Sequence, residues 1–155
     1  MPAGEREPFF VDTNVLLYSC DPADPGKQAS ARQWLDLLWA QERGCLSWQV
    51  LHEFHVNAAR KLRMPNSKAR KLVEVFSLWR PVDTSHGLIQ RAWHWMDEAQ
   101  LSYWDSLIVA AAERRDCGWL LSEDLQTGRR LGTVLVVNPF LSSPEEFGLD
   151  SGSRQ

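Results

Sequence analysis

Short apolar runs alternate with longer segments of helical spacing along most of the chain. Five runs predict strands, at residues 9–11, 45–47, 80–82, 119–121 and 133–137. Between these runs, apolar side chains recur every three or four positions, which is the spacing of one helix face. Strands that alternate with helices are typical of βαβ units and a parallel sheet. We therefore predict an α/β fold, a three-layer α/β/α sandwich with a central parallel sheet of roughly five strands.

The sequence predicts a single domain. No linker or internal repeat divides its 155 residues, and a chain of this length can bury a sizeable core. We place the domain at residues 1–141 and expect a flexible tail at 142–155, a segment rich in Ser, Gly and acidic residues.

We expect the protein to be cytoplasmic and not attached to a membrane. The first ten residues carry two glutamates and lack the apolar stretch of a secretory signal, and no apolar run could span a bilayer. The three cysteines form no CxxC pair, which favours reduced thiols over disulfides.

The charge balance argues weakly against a protein that only coats nucleic acid. The net charge is −3, whereas such proteins are usually basic. An enzyme with an acidic pocket is compatible with this charge, because bound cations supply local positive charge. One segment, residues 60–71, is densely basic, and it is either a solvated helical surface or a contact for RNA phosphates. We interpret the eight tryptophans mainly as packing residues, with base stacking or a partner interface as the alternatives.

Four acidic residues lie in otherwise apolar neighbourhoods. They are Asp12, Glu53, Asp105 and Asp124. A carboxylate among apolar residues is costly unless it is paired or binds a metal. Asp12 and Asp124 follow predicted strands, where parallel sheets bind ligands, and the other two lie on helices that begin nearby. Taken singly, each has a simpler explanation as a helix cap or a favourable charge near a helix start. Together they predict one acidic pocket.

A pocket of carboxylate oxygens indicates a hard cation. Such ligands select Mg²⁺ or Mn²⁺, and these ions support cleavage of phosphodiesters without a protein nucleophile. We therefore predict that the four acids form a metal site. His52 and His55 are a weaker candidate, because their spacing does not match HExxH and no third ligand is evident.

The order of these motifs resembles that of the PIN-domain nucleases, and in particular the VapC-like toxins of bacterial toxin–antitoxin pairs. The resemblance covers residues 9–140 and begins with a strand followed by Asp-Thr-Asn at 12–14. Glu53 matches the helical glutamate of the family, and Asp105 matches an aspartate that opens a helix. Asp124 matches the aspartate of a Ser-x-Asp segment that follows a strand.

This resemblance implies a Mg²⁺- or Mn²⁺-dependent endoribonuclease that acts as a toxin. Its partners would be an RNA substrate and a cognate antitoxin, and homodimers are frequent in the family. The four acids would be catalytic and would hold the metal, while Thr13, Asn14 and Ser122 would orient carboxylates or water. Glu123 could share or replace the role of Asp124, although alternation along an extended segment points their side chains apart.

Two other functions are compatible with the sequence. A PIN-like module could bind RNA or a partner protein through the acidic pocket without cutting. A receiver-like phospho-switch shares the fold class, but it would need a lysine after its last strand, where this chain has Asn138 and Pro139.

Overall fold

A five-stranded sheet forms the centre of the computed structural model, which describes residues 7–150. The strands are β1 (Phe9–Val11), β2 (Gly44–Cys45), β3 (Trp119–Leu121), β4 (Arg130–Leu131) and β5 (Val134–Val137). Their order in the sheet is β2-β1-β3-β5-β4. Neighbouring strands are parallel except for β4, which runs antiparallel to β5.

The central strand β1 is buried along its whole length. Phe9, Phe10 and Val11 are each 0% exposed. A strand that is covered on both faces needs apolar side chains on both, which explains the continuous run rather than an alternating one. Val11 pairs with Leu121 of β3, so the segments that follow β1 and β3 leave the sheet side by side at its carboxyl edge.

Six α-helices surround the sheet in the described part of the chain. They are α1 (Thr13–Ser19), α2 (Pro25–Ala40), α3 (Trp48–Arg60), α4 (Asn66–Phe76), α5 (His86–Ala99) and α6 (Tyr103–Arg114). Side-chain oxygens cap several of them, and Ser47, Ser85 and Ser102 each accept a backbone N–H from the first turn of the helix that follows. None of these helices is long and apolar enough to cross a membrane.

The helices pack in layers over the sheet. Helix α6 contacts β3 and β5, and α2 contacts β2, while α1 packs against both α2 and α3. Helix α5 packs along α6 and α4 packs on α3. The predicted α/β sandwich with a mostly parallel, five-stranded sheet is therefore confirmed.

The strand predicted at residues 80–82 is wrong. Val82 forms only an isolated parallel bridge with Ser47, and the predicted strand at 45–47 is reduced to Gly44–Cys45. Pro81 has no N–H to donate, and Ser47 leaves the sheet to cap α3. The pairing therefore stops after one bridge.

A hairpin that the sequence did not predict closes the edge of the sheet. Leu131 pairs with Val134, so Gly132 and Thr133 form a two-residue turn. Gly132 has a φ of 63°, a left-handed conformation that glycine adopts without strain. The strand predicted at 133–137 begins at Val134 for this reason.

Residues 142–150, which the sequence assigned to a flexible tail, pack against the domain. Pro144–Phe147 forms a 3-10 turn, and the ring of Phe147 lies 6.2 Å from that of Trp34. Leu149 is 0% exposed. The rest of that predicted tail, residues 151–155, lies outside the described residues.

We predict that Leu149 stabilises the domain although it lies near the end of the chain. Leu149→Ala should lower the free energy of unfolding by about 2–4 kcal/mol, because it leaves a cavity in a packed core. Urea denaturation measures the change. Leu141→Ala is the matched control: Leu141 is 74% exposed, and its loss should cost less than about 0.5 kcal/mol. A midpoint of Leu149→Ala equal to that of the wild-type protein would show that this side chain does not stabilise the domain.

Candidate active site

The four acids singled out from the sequence line one cavity. Its volume is about 580 Å³, and it opens at the carboxyl edge of the sheet, where β1 and β3 end. Asp12, Glu53, Asp105 and Asp124 all contribute to its wall. They come from four separate segments of the chain, so their convergence is a product of the fold.

Asp12 is the deepest of these carboxylates, with 6% of its surface exposed. It directly follows β1 and caps α1, and one carboxylate oxygen accepts the backbone N–H of Thr13 at 2.8 Å. The other oxygen accepts the hydroxyl of Ser122 at 2.8 Å and the amide of Asn14 at 3.4 Å. Three donors from two neighbouring strand ends therefore fix its orientation.

Glu53 reaches the cavity from α3. Its Oε1 accepts the hydroxyl of Thr13 at 2.8 Å, and its Oε2 accepts the side-chain amide of Gln49 at 3.4 Å. Thr13 donates its backbone N–H to Asp12 and its hydroxyl to Glu53, so it links two acids of the cavity. All three residues predicted to orient the acids, Thr13, Asn14 and Ser122, donate to a carboxylate of the site.

Asn14 connects the two acids that follow strands. Its Nδ2 donates to Asp124 at 3.2 Å as well as to Asp12, and its Oδ1 accepts the backbone N–H of Glu123 at 3.2 Å. Ser122 adds to this arrangement because its Oγ accepts the N–H of Asp124 at 3.2 Å. The loop after β3 is thus tied to the first turn of α1.

Asp105 completes the wall from the first turn of α6. Its backbone N–H donates to the hydroxyl of the cap residue Ser102 at 3.1 Å, and its side chain is half-buried beside the cavity. An acid in the first turn also interacts favourably with the positive end of the helix dipole. Ser102 thus holds the backbone of Asp105, and the carboxylate of Asp105 faces the cavity.

Glu123 differs from its neighbour Asp124. Its carboxylate forms an ion pair with Lys27 of α2, whose ammonium also lies over the ring of Tyr18, 4.7 Å from the centroid. The hydrogen bond to Glu123 raises the pKa of Lys27. A positive side chain therefore already compensates Glu123, whereas hydroxyl and amide donors hold Asp12, Glu53 and Asp124.

Burial and mutual repulsion perturb two of the acids. The pKa of Asp12 is raised to about 6, mainly by desolvation and to a smaller extent by the charges of Asp124 and Glu53, while the hydrogen bonds from Ser122 and Thr13 lower it. The pKa of Asp105 is also raised, mainly by desolvation and then by the same two charges. Ionised carboxylates in the cavity are therefore destabilised by burial and by mutual repulsion, and a bound cation would reduce both effects.

The donor chemistry of the cavity fits a hard divalent cation. The four carboxylates, with Asn14 and Thr13, present oxygen ligands of the kind that Mg²⁺ and Mn²⁺ prefer. Among residues 7–150, however, no group of three or more His, Cys, Asp or Glu side chains is placed so that it could hold a metal ion. The hydroxyl of Thr13 donates to Glu53, and the amide of Asn14 donates to Asp12 and Asp124.

Three residues of the cavity wall were not identified from the sequence as site residues. Gln49 and Asn57 of α3, and Lys61 directly after it, line the cavity at four-residue intervals together with Glu53. This spacing places them on one face of the helix, so the signal was present in the sequence. Trp104, which precedes Asp105, also lines the cavity and is 60% exposed.

Comparison with known proteins identifies the family. The model of the PIN domain matches residues 9–129, which include all four acids and the strands β1, β2 and β3. No curated protein is similar enough to the chain to count as a match. PIN domains are typically nucleases, which supports a hydrolase of nucleic acids. Since this match covers well over half of the sequence, the protein belongs to the PIN domain family.

Proposed function

We propose that the protein is a Mg²⁺- or Mn²⁺-dependent endoribonuclease and the toxin of a toxin–antitoxin pair. The observation that carries the nuclease activity is the convergence of Asp12, Glu53, Asp105 and Asp124 in one cavity at the carboxyl edge of the sheet. A cluster of like charges at this position is expensive unless it serves a ligand.

These four acids would hold the metal. When bound, a divalent cation offsets their negative charge and stabilises the charge that develops on a phosphodiester during hydrolysis. The remaining contributions come from the chain itself. Ser122 and Thr13 donate hydrogen bonds to the carboxylate of Asp12. Asn14 donates to both Asp12 and Asp124 and so fixes the position of one relative to the other. Such fixed orientation reduces the reorganisation that the reaction requires.

The partners of the protein belong to the same proposal. RNA is the substrate, and the basic segment at 60–71 is suited to contact its phosphates. An antitoxin with a basic side chain would fit the acidic cavity, because charge-assisted hydrogen bonds to carboxylates are strong. We also propose a cytoplasmic homodimer, on the basis of the resemblance to the VapC-like toxins.

One alternative function has a specific observation in its favour. In the described residues, no three or more His, Cys, Asp or Glu side chains are placed so that they could hold a metal ion, which would suit a module that binds RNA or a protein without cutting. The receiver-like alternative loses support, because β4 is antiparallel and Asn138 follows β5 where a lysine would be required.

Removal of one cavity carboxylate should abolish cleavage. Asp12→Asn and Asp105→Asn each keep the shape of the side chain but lose a charge that holds the metal. We expect cleavage of a mixed RNA pool to fall by at least about 100-fold, with the circular dichroism spectrum unchanged. Asp97→Asn, an exposed residue of α5, is the matched control and should keep wild-type activity.

Chelation completes this test. EDTA should stop cleavage by the wild-type protein, and added Mg²⁺ or Mn²⁺ should restore it. If the protein binds the RNA but does not cleave it with either Mg²⁺ or Mn²⁺ present, the result would instead favour the module that binds RNA without cutting. Wild-type rates in either Asn variant would overturn the proposed metal site.

Glu123 and Asp124 should respond differently to loss of charge. Asp124→Asn should lower cleavage as strongly as the other cavity variants. Glu123→Gln should keep most of it, because Lys27 already compensates this carboxylate. Initial rates of both variants at saturating Mg²⁺ measure the difference. A larger loss in Glu123→Gln than in Asp124→Asn would assign the metal-holding role to Glu123.

Asp12 should make the stability of the metal-free protein depend on pH. Its pKa is about 6 in the folded protein and near 3.8 when exposed, so the native state binds more protons between these values. The stability contributed by this group is therefore full below pH 3.8 and is lost as the pH rises through 6.

Asp12→Asn removes this penalty. In EDTA at pH 7.5, the variant should exceed the wild-type free energy of unfolding by roughly 2–3 kcal/mol, and the difference should vanish near pH 4. Urea denaturation across this range measures the difference. Mn²⁺ should raise the melting temperature of the wild-type protein and have a smaller effect on the variant. A constant difference at all pH values would show that Asp12 does not titrate in this window.

A further inference from the structure

The cavity extends past its carboxylates to an exposed aromatic ring. Trp104 is the second residue of α6 and immediately precedes Asp105. Its surface is 60% exposed, although a tryptophan gains more than most residues from burial. Because this ring lines a polar cavity and is open to solvent, its face is available to a ligand that enters the cavity.

A hydrogen bond ties the backbone of Trp104 to α3. Its carbonyl oxygen accepts the side-chain amide of Gln49 at 3.2 Å, and the same amide lies 3.4 Å from Glu53. On one side, the indole lies 5.3 Å from the ring of Tyr103 at an angle of 67°. Gln49 thus bridges the acid on α3 and the residue that carries the exposed ring.

Lys61 lines the same cavity and is the residue that directly follows α3. It lies eight residues after Glu53 and keeps a helical backbone, so the two residues are separated by about 12 Å along the helix axis. The side chain is exposed, and Arg60 and Arg63 flank it in the sequence. Positive charge beside an acidic cavity suits a polyanion. Its backbone would pass the carboxylates and continue to Lys61.

We propose that Trp104 and Lys61 form two nucleotide subsites beside the acidic site. An unpaired base next to the scissile phosphate stacks on the indole of Trp104, and a phosphate further along the same strand contacts Lys61. This inference rests on the proposed function for the choice of RNA as the occupant. These subsites make single-stranded RNA the preferred substrate, because a base within a duplex has no free face to stack on the indole.

A peptide is the competing occupant of this wall. The observations favour RNA because the aromatic ring, the cation and the acidic centre occur together along one cavity. Stacking on an aromatic ring and contact with phosphates are the two features by which proteins bind single strands without reading their sequence.

The inference can be tested by RNA binding under conditions that exclude cleavage. We suggest fluorescence anisotropy with a short labelled single-stranded oligoribonucleotide in EDTA. Trp104→Ala should weaken binding by roughly 5- to 150-fold, and Trp104→Phe should weaken it less, because a ring remains for stacking. Trp93→Ala is the matched control: Trp93 is 49% exposed on α5, away from the cavity, and its loss should leave binding unchanged.

An abasic series locates the stacked base. Oligoribonucleotides with one abasic nucleotide at successive positions should show weaker wild-type binding at one position. That position effect should disappear in Trp104→Ala, since the two changes remove the same contact.

The salt dependence tests Lys61. Lys61→Ala should reduce the slope of log K against log salt by about 0.7, the value for one phosphate contact to a single strand. Lys68→Ala, an exposed residue of the same basic segment that does not line the cavity, should leave the slope unchanged.

The outcomes separate this inference from the proposed activity. Equal affinities of the wild-type protein and Trp104→Ala would overturn the subsite while leaving the cleavage tests intact. A duplex that binds as tightly as the single strand, with the same dependence on Trp104, would also overturn it. Trp104-dependent binding without cleavage in Mg²⁺ would retain the subsite and reject the nuclease.

Discussion

The burial of one carboxylate is the constraint on which the site depends. Asp12 lies at the end of a fully buried strand, and its own burial raises its pKa to about 6. A charge in this position requires donors, and Ser122, Thr13 and Asn14 provide them. Each donor lies in a segment that also contacts another acid, so the orientation of Asp12 determines much of the surrounding site.

These contacts form one hydrogen-bonded network across separate parts of the chain. Thr13 links Asp12 to Glu53 on α3, while Asn14 and Ser122 link it to the loop that carries Asp124. The network is polar but leaves net negative charge in the cavity, since the donors other than Lys27 are neutral. This combination of fixed geometry and uncompensated charge supports a role for a divalent cation.

The cavity combines this acidic centre with features suited to a longer ligand. The face of α3 that carries Glu53 continues to Lys61, and the helix that carries Asp105 begins beside the exposed ring of Trp104. A site for a small metabolite would not require both a distant lysine and an exposed aromatic ring. The PIN domain match and this arrangement together favour a strand of nucleic acid as the ligand.

The sequence by itself determined the α/β fold, the central strand and the set of acids, because these depend on local periodicity and on polar residues in apolar surroundings. It could not determine the hairpin at β4, which is too short to show a period, or the burial of Leu149 in a segment of polar composition.

Only the tertiary structure decided how the acids differ. Asn14 and Asp124 are 110 residues apart in sequence, and their contact follows from the pairing of β1 with β3. The ion pair between Lys27 and Glu123 likewise depends on how α2 lies against the loop after β3. Periodicity describes neighbours along the chain, whereas the charge and orientation of a side chain depend on neighbours in space.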